Sequence, residues 1–229
     1  MGFIVHAPEL FKRDHILDLA SFDSSYRQES FENLERTLEA TRKLKKLFPS
    51  ESKPLVVANV GGWSVDEFLS DSIKKEKYEL IAEALDVFRS SEYEIIIQTM
   101  PPFPWHFGGQ RFHNLFMDPI EIRTFCDSHD HRICLDISHT YLAVNFLRQG
   151  WETAIDTLGP ITAHLHVVDG SGVDCEGLDI GEGTINFKDL GDRLSLVAPA
   201  VPFIPEIWQG HKDSGAGFWE ALHKLNGLL

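Results

Sequence analysis

Ile133-Cys134-Leu135-Asp136-Ile137-Ser138-His139 is an apolar run that ends in a carboxylate and is followed, three residues on, by an imidazole. The next unit, His164-Leu165-His166-Val167-Val168-Asp169, repeats the logic with the imidazole first. A short apolar run bounded by polar residues reads as a buried strand, and strands buried on both faces belong to parallel sheets. Four further runs end in a polar residue able to bind a metal: Phe3-Ile4-Val5-His6, Leu55-Val56-Val57-Ala58-Asn59, Ile95-Ile96-Ile97-Gln98 and Phe203-Ile204-Pro205-Glu206. In a parallel α/β barrel the C-terminal strand ends converge on one mouth, so residues distant in sequence can meet around one ion.

Helical spacing of apolar residues fills the intervals. Phe31, Leu34, Leu38, Leu44 and Leu47 predict a helix over 30–48, and Tyr78, Ile81, Leu85 and Phe88 another over 73–88. Further helices are expected over 119–128, with Pro119 in its first turn, and over 140–148, 151–158 and 217–225. Strands alternating with helices from end to end predict a single domain over residues 1–229. The class is α/β, a parallel (β/α) barrel. Six units are counted where a closed barrel of this type has eight, so we expect an incomplete barrel that another segment or subunit completes. An open sheet edge exposes unpaired backbone groups, which predicts a homo-oligomer or a place in a larger assembly.

Two long loops interrupt the pattern. Residues 100–117 carry Pro101, Pro102, Pro104, Trp105, His106, Arg111 and His113, while residues 169–184 are rich in Gly and Asp. Loops of this length in compact domains tend to be functional, and both follow strands, as barrel active-site loops do.

The composition excludes several classes of function. A formal net charge of −14 repels phosphate backbones, so no nucleic-acid partner is expected. Cys126, Cys134 and Cys175 are too few and too scattered for a disulfide framework or a CxxC metal site, which fits a reducing cytoplasm. No secretory leader and no run approaching ~18 apolar residues is found, so no membrane role is expected.

Asp136-Ile137-Ser138-His139, His166-Val167-Val168-Asp169, Gly181-Glu182-Gly183 and Pro205-Glu206-Ile207, in that order, resemble the xylose isomerase-like TIM-barrel superfamily of sugar isomerases, epimerases and endonuclease IV-type enzymes. Val5-His6-Ala7-Pro8-Glu9-Leu10 looks like its VHAPYL strand end, normally the third strand. Asn59-Val60-Gly61 sits where HPG usually follows the fourth, and Gln98-Thr99-Met100-Pro101 where an ENMP-like segment supplies a glutamate. The resemblance implies a TIM-barrel-like fold and a divalent ion (Mn, Mg, Co or Zn) on Asp136, His166, Glu206 and Gln98. It also implies an isomerase or epimerase acting on a sugar or sugar-derived acid through a metal-stabilised enediolate, with Glu206 and His139 as catalytic groups. Gln98 departs from the pattern, because an amide cannot serve as the second base of a two-base epimerase. Asn59 replaces a zinc histidine of the endonuclease branch, and near Gly177 a further zinc histidine is missing. These departures keep two rivals in view: a catalytically degenerate sugar-binding or regulatory barrel of a sugar-biosynthetic assembly, and a metal-dependent hydrolase or lyase.

The residue types narrow the roles. Asp136 could cap the helix that follows it, but His166 and Glu206 in register favour metal ligation. Of the two histidines in one strand, His166 is expected to face inward and His164 to be a hydrogen-bonded core residue on the opposite side. Glu206 ends an apolar run without an evident counter-charge, which calls for a metal or a cation. Substrate-binding positions are expected at His6, Asn59, Trp105, Arg111, His113 and His211, with Lys212 beside them, and Trp63, Trp105 and Trp208 are core residues or platforms for a sugar ring. His113 is, with His139, a candidate second base. The turn at Gly181-Glu182-Gly183 is expected to be architectural.

Overall fold

The computed structural model describes residues 3–48, 52–106 and 109–228. Six parallel strands pair in sequence order: β1 (Ile4–His6), β2 (Leu55–Ala58), β3 (Glu94–Gln98), β4 (Ile133–Asp136), β5 (Thr162–Val167) and β6 (Phe203–Pro205). Seven helices are described: α1 (Ser24–Lys45), α2 (Asp71–Val87), α3 (Pro119–His129), α4 (Ile137–Leu147), α5 (Trp151–Leu158), α6 (Phe187–Val197) and α7 (Lys212–Leu225). The result is a TIM-barrel-like half-barrel whose sheet has β1 and β6 as its edges. None of the described helices is long and apolar enough to cross a membrane.

Register places the strand ends side by side. Asp136 pairs with His166 across β4 and β5, and Val167 pairs with Pro205, the residue before Glu206. One face of the sheet packs Val56, Ile97, Leu135 and Leu165 with Leu34, Leu38, Ile81 and Leu85 of the helices. A smaller cluster of Val57, Ile96 and Cys134, backed by Ile4 and Leu55, lies two residues before the polar strand ends. Side chains two residues apart on a strand share a face, so this cluster is the apolar floor beneath the ring of polar tips.

Local chemistry explains where the helices begin. Asp23 accepts from the Ser25 and Tyr26 N–H groups and starts α1 six residues before the predicted boundary. Asp118 caps α3 with Pro119 in the first turn. The sequence pattern missed α6, which Asn186 caps and whose buried face is Phe187, Leu190 and Leu194. Both long loops contain short antiparallel ribbons. Trp105–His106 pairs with Gly109–Gln110, Phe112–His113 pairs with Trp63–Ser64, and Asp169–Ser171 pairs with Cys175–Leu178. Within the first loop, residues 107–108 lie outside the described residues.

Candidate functional site

Asp136 is fully buried and does two things at once. Its Oδ1 accepts from the His139 backbone N–H at 2.9 Å and the Ser138 hydroxyl at 3.1 Å, which caps α4. Its Oδ2 is left for the site and lies 3.3 Å from Gln98 Nε2, 3.5 Å from His139 Nδ1 and 3.7 Å from His166 Nδ1. Capping and ligation are therefore compatible, because they use different oxygens.

His166 Nδ1 lies 2.6 Å from Glu206 Oε2 and 3.3 Å from Gln98 Nε2. The His6 ring stacks on the other side, its centroid 5.5 Å from that of His166, and its Nε2 is 3.1 Å from Gln98 Oε1. One donor atom from each of His6, His166 and Glu206 lies within 4.8 Å of the others, although β1 and β6 are opposite edges of the sheet. Nitrogen and carboxylate donors in this mixture suit a borderline divalent ion.

Gln98 carries a conflict that bears on such an ion. His6 Nδ1 donates to the Ala7 carbonyl at 2.7 Å, so Nε2 of a neutral His6 is an acceptor facing the amide oxygen of Gln98. Turning the amide over removes that clash by donating the NH₂ to His6, but it presents Oε1 to Asp136 Oδ2. Two oxygens facing each other there are stable with a cation between them. The residues thus fit a bound divalent ion with the amide in one orientation, and satisfy Asp136 directly with it in the other.

The charges support one another. Burial opposes protonation of His166, but Asp136, Cys134 and Glu206 outweigh it and raise its pKa to about 12. His139 is raised to about 10 against its burial, chiefly by Asp136 and Glu176. Asp136, despite its own burial, is held below the ordinary carboxylate range by His139 and His166. The Nδ1–H of His139 donates to the Thr99 carbonyl at 2.9 Å, and its Nε2 faces Glu176 Oε2 at 3.2 Å. The carboxylate only accepts, so it favours the protonated form of that ring.

His164 corrects one expectation. It lies on the same side of β5 as His166, with ring centroids 5.3 Å apart, because residues two apart share a face. It is a core residue nonetheless: Nδ1 donates to the Pro202 carbonyl at 2.7 Å, and burial with the adjacent His166 lowers its pKa to about 4.

A cavity of about 690 Å³ opens over this cluster. His6, Gln98, Asp136, His139 and Glu206 line its inner part, and Trp105 and His211 also reach it. The structure places three expected substrate positions elsewhere. Asn59 is buried, its Oδ1 accepting from the Gly61 N–H at 3.2 Å. His113 is buried on its ribbon with Nδ1 donating to the Leu115 carbonyl at 3.0 Å, and Arg111 is half-buried on the same segment. None of these three lines the cavity. Sequence reasoning missed Glu176 and gave Glu9 no role, though both line it. Glu176 sits on a hairpin inside the long second loop, and no strand-end pattern marks it. That hairpin is fixed by Asp169, whose buried carboxylate accepts from the N–H groups of Gly170, Gly181 and Gly183 at 2.8–3.0 Å and of Ile185 at 3.3 Å. The Gly181-Glu182-Gly183 turn is therefore architectural, as its sequence implied.

The family described as "Xylose isomerase-like TIM barrel" matches residues 1–225. A D-tagatose 3-epimerase-like protein superposes with a TM-score of 0.66 at 23% identity, over 99% of this chain and 79% of that one. An L-ribulose 3-epimerase superposes at 0.65 with 15% identity, covering 92% and 70%. A D-psicose 3-epimerase, solved in the presence of D-fructose, superposes at 0.65 with 17% identity, covering 93% and 74%. No curated protein matches the sequence significantly.

Proposed function

Because the chain belongs to the xylose isomerase-like TIM-barrel family, we propose that it is a divalent-metal-dependent isomerase or epimerase of a sugar or sugar-derived acid. The observation that carries this reading is the convergence of Asp136 Oδ2, His166 Nδ1, Glu206 Oε2 and the Gln98 amide, with Asp136, Gln98 and Glu206 lining one cavity and His166 buried against them. Solved neighbours named as ketose epimerases support the substrate class. Mn²⁺, Mg²⁺, Co²⁺ or Zn²⁺ held by Asp136, His166, Glu206 and Gln98 would supply Lewis acidity toward a carbonyl oxygen and its neighbouring hydroxyl.

The chain's own residues divide the proton work. Glu206, partly exposed on the cavity wall, is the base for the C–H next to the carbonyl. His139 Nε2, 3.2 Å from Glu176 Oε2, gives a proton to the carbonyl oxygen and takes one from the adjacent hydroxyl. Gln98 has no proton to exchange at neutral pH, so carbon chemistry through Glu206 alone moves a proton between adjacent carbons on one face of the substrate. Epimerisation needs a second base; of the two histidines considered, His139 lines the cavity and His113 does not. His139, with its pKa raised to about 10, is a proton donor at neutral pH, so one-base isomerisation is favoured. The free, unpaired cysteines accord with a cytoplasmic setting.

The test uses D-fructose, D-tagatose, D-psicose and L-ribulose in D₂O. With added Mn²⁺ we expect deuterium to enter at the carbon beside the carbonyl, and the rate to fall at least a hundredfold in Glu206→Gln. No bound ion, and no rate change with Mn²⁺, would sink the reading.

One observation favours a second reading, a sugar-binding barrel without chemistry. The Gln98 amide donates to Asp136 at 3.3 Å, which satisfies that carboxylate with no ion. If Gln98→Glu created activity absent from the natural chain, this second reading would hold. The nuclease branch is disfavoured by the net charge of −14 and by Asn59, whose side chain turns onto Gly61.

A further inference from the structure

The cavity changes character from floor to rim. Its floor is polar and buried, with Asp136 at 0% and Gln98 at 2% exposure, while its outer part carries Pro104, Trp105 and Trp208. Trp105 is 64% exposed and Trp208 77% exposed, although tryptophan is among the costliest side chains to leave in water. Both indoles stand on hydrogen-bonded backbone. Trp105 is in a ribbon opposite Gln110. The Trp208 N–H donates to the Gly177 carbonyl at 2.9 Å, and a Cβ at Gly177 would stand 3.1 Å from Trp208 Cβ. Solvent-facing aromatic rings at the entrance of a polar pocket suit the apolar face of a sugar ring.

Size points the same way. A volume of about 690 Å³ lies well inside the roughly 300–1,000 Å³ range of sites that enclose drug-sized ligands. A cavity of that volume has room for a second ring beside a hexose.

We propose that Trp105 and Trp208 form a subsite for a second ring, so that the substrate is a glycosylated ketose or comparable keto-glycoside rather than a free monosaccharide. The inner part of this assignment rests on the sugar reading above; the rim subsite stands on the two indoles. The carbonyl-bearing sugar occupies the floor beside Asp136, His139 and Glu206, and the attached ring or aglycone lies against the tryptophans.

Calorimetric titration of the whole chain, both metal-stripped and Mn²⁺-loaded, with D-fructose, lactulose and isomaltulose tests this. The last two are ketoses carrying a second pyranose. At least one should bind about tenfold more tightly than D-fructose, the gain expected from one or two aromatic contacts. The gap should close in Trp105→Ala and Trp208→Ala, and persist in Trp219→Ala, where an equally exposed indole on α7 lies outside the cavity. Equal affinity for all three sugars, binding of none, or a gap that survives both rim substitutions overturns the proposal. A gap closed by the rim substitutions in a protein without metal-dependent exchange would leave the subsite standing and remove the isomerase reading. Exchange on D-fructose without such a gap would do the reverse.

Discussion

The amide of Gln98 lies 3.3 Å from both Asp136 Oδ2 and His166 Nδ1, and 3.1 Å from His6 Nε2, so its two ends have different consequences for the same pocket. With nitrogen inward it neutralises part of the Asp136 charge; with oxygen inward it asks for a cation. Replacing it by glutamate removes the first option. In the metal-free protein Gln98→Glu places a second carboxylate against Asp136, and we expect a loss of about 1–3 kcal/mol, roughly 2–12 °C in Tm for a chain of this size. With Mn²⁺ the loss should be recovered and the ion should bind at least tenfold more tightly. Thermal melts with chelator and with Mn²⁺ check both; an unchanged metal-free Tm would show that the amide is not satisfying Asp136.

His139 and His166 make a prediction with a definite sign. Folding raises their pKa values to about 10 and about 12, whereas unfolded histidine titrates near ~6.5. Their stabilisation is complete below about pH 6.5 and is lost as pH rises through the folded values. The unfolding free energy of the metal-free protein should therefore decline between pH 7 and pH 10, more steeply than in His139→Gln. A flat profile in urea melts across that range would show that the two rings are neutral in the folded chain. Asp136, His166 and Glu206 were legible in sequence because each ends an apolar run and register does the rest. His6 was equally visible, and it stands with His166 and Glu206 in one group of possible ion ligands rather than merely lining the pocket. Glu176 was not legible, since its place depends on a hairpin held from 169–185 by Asp169.

That hairpin shows what element-level patterns omit. Hydrophobic periodicity found six strands and six of the seven described helices, but it has no purchase on a Gly- and Asp-rich loop whose order comes from one buried carboxylate accepting four N–H bonds. The missed α6 was legible after all: Phe187, Leu190 and Leu194 recur at helical spacing behind the Asn186 cap. Gly183 has no room for a side chain, because a Cβ would fall onto Asp169 Oδ1 and the Gly170 carbonyl. Gly183→Ala should cost about 1–3 kcal/mol by overpacking and should loosen the hairpin that carries Glu176. Hydrogen exchange should show faster exchange at Gly181, Gly183 and Ile185; protection equal to that of the natural chain would mean that Asp169 is not the anchor.

At the scale of the whole molecule, six parallel strands curve enough to bring His6 on β1 and Glu206 just after β6 to one cluster, yet those strands remain the two edges of the described sheet. Ile204 on β6 is 45% exposed, although its neighbours in the β5 register are buried. Unpaired edges favour association, and light scattering should give a mass of at least two chains; a stable 26.0 kDa monomer at micromolar concentration would count against it. The fold was readable at this scale because strand-end residues recur in a fixed order, while nothing in the sequence pattern shows what covers the edges. The half-barrel matters chiefly because it gathers Asp136, His166, Glu206 and Gln98 at one floor, and titrating Mn²⁺ into chelator-treated protein in a calorimeter asks whether that floor binds an ion. We predict one ion per chain at micromolar affinity or tighter, weakened at least a hundredfold in His166→Ala. No binding, or binding that His166→Ala leaves unchanged, would contradict it.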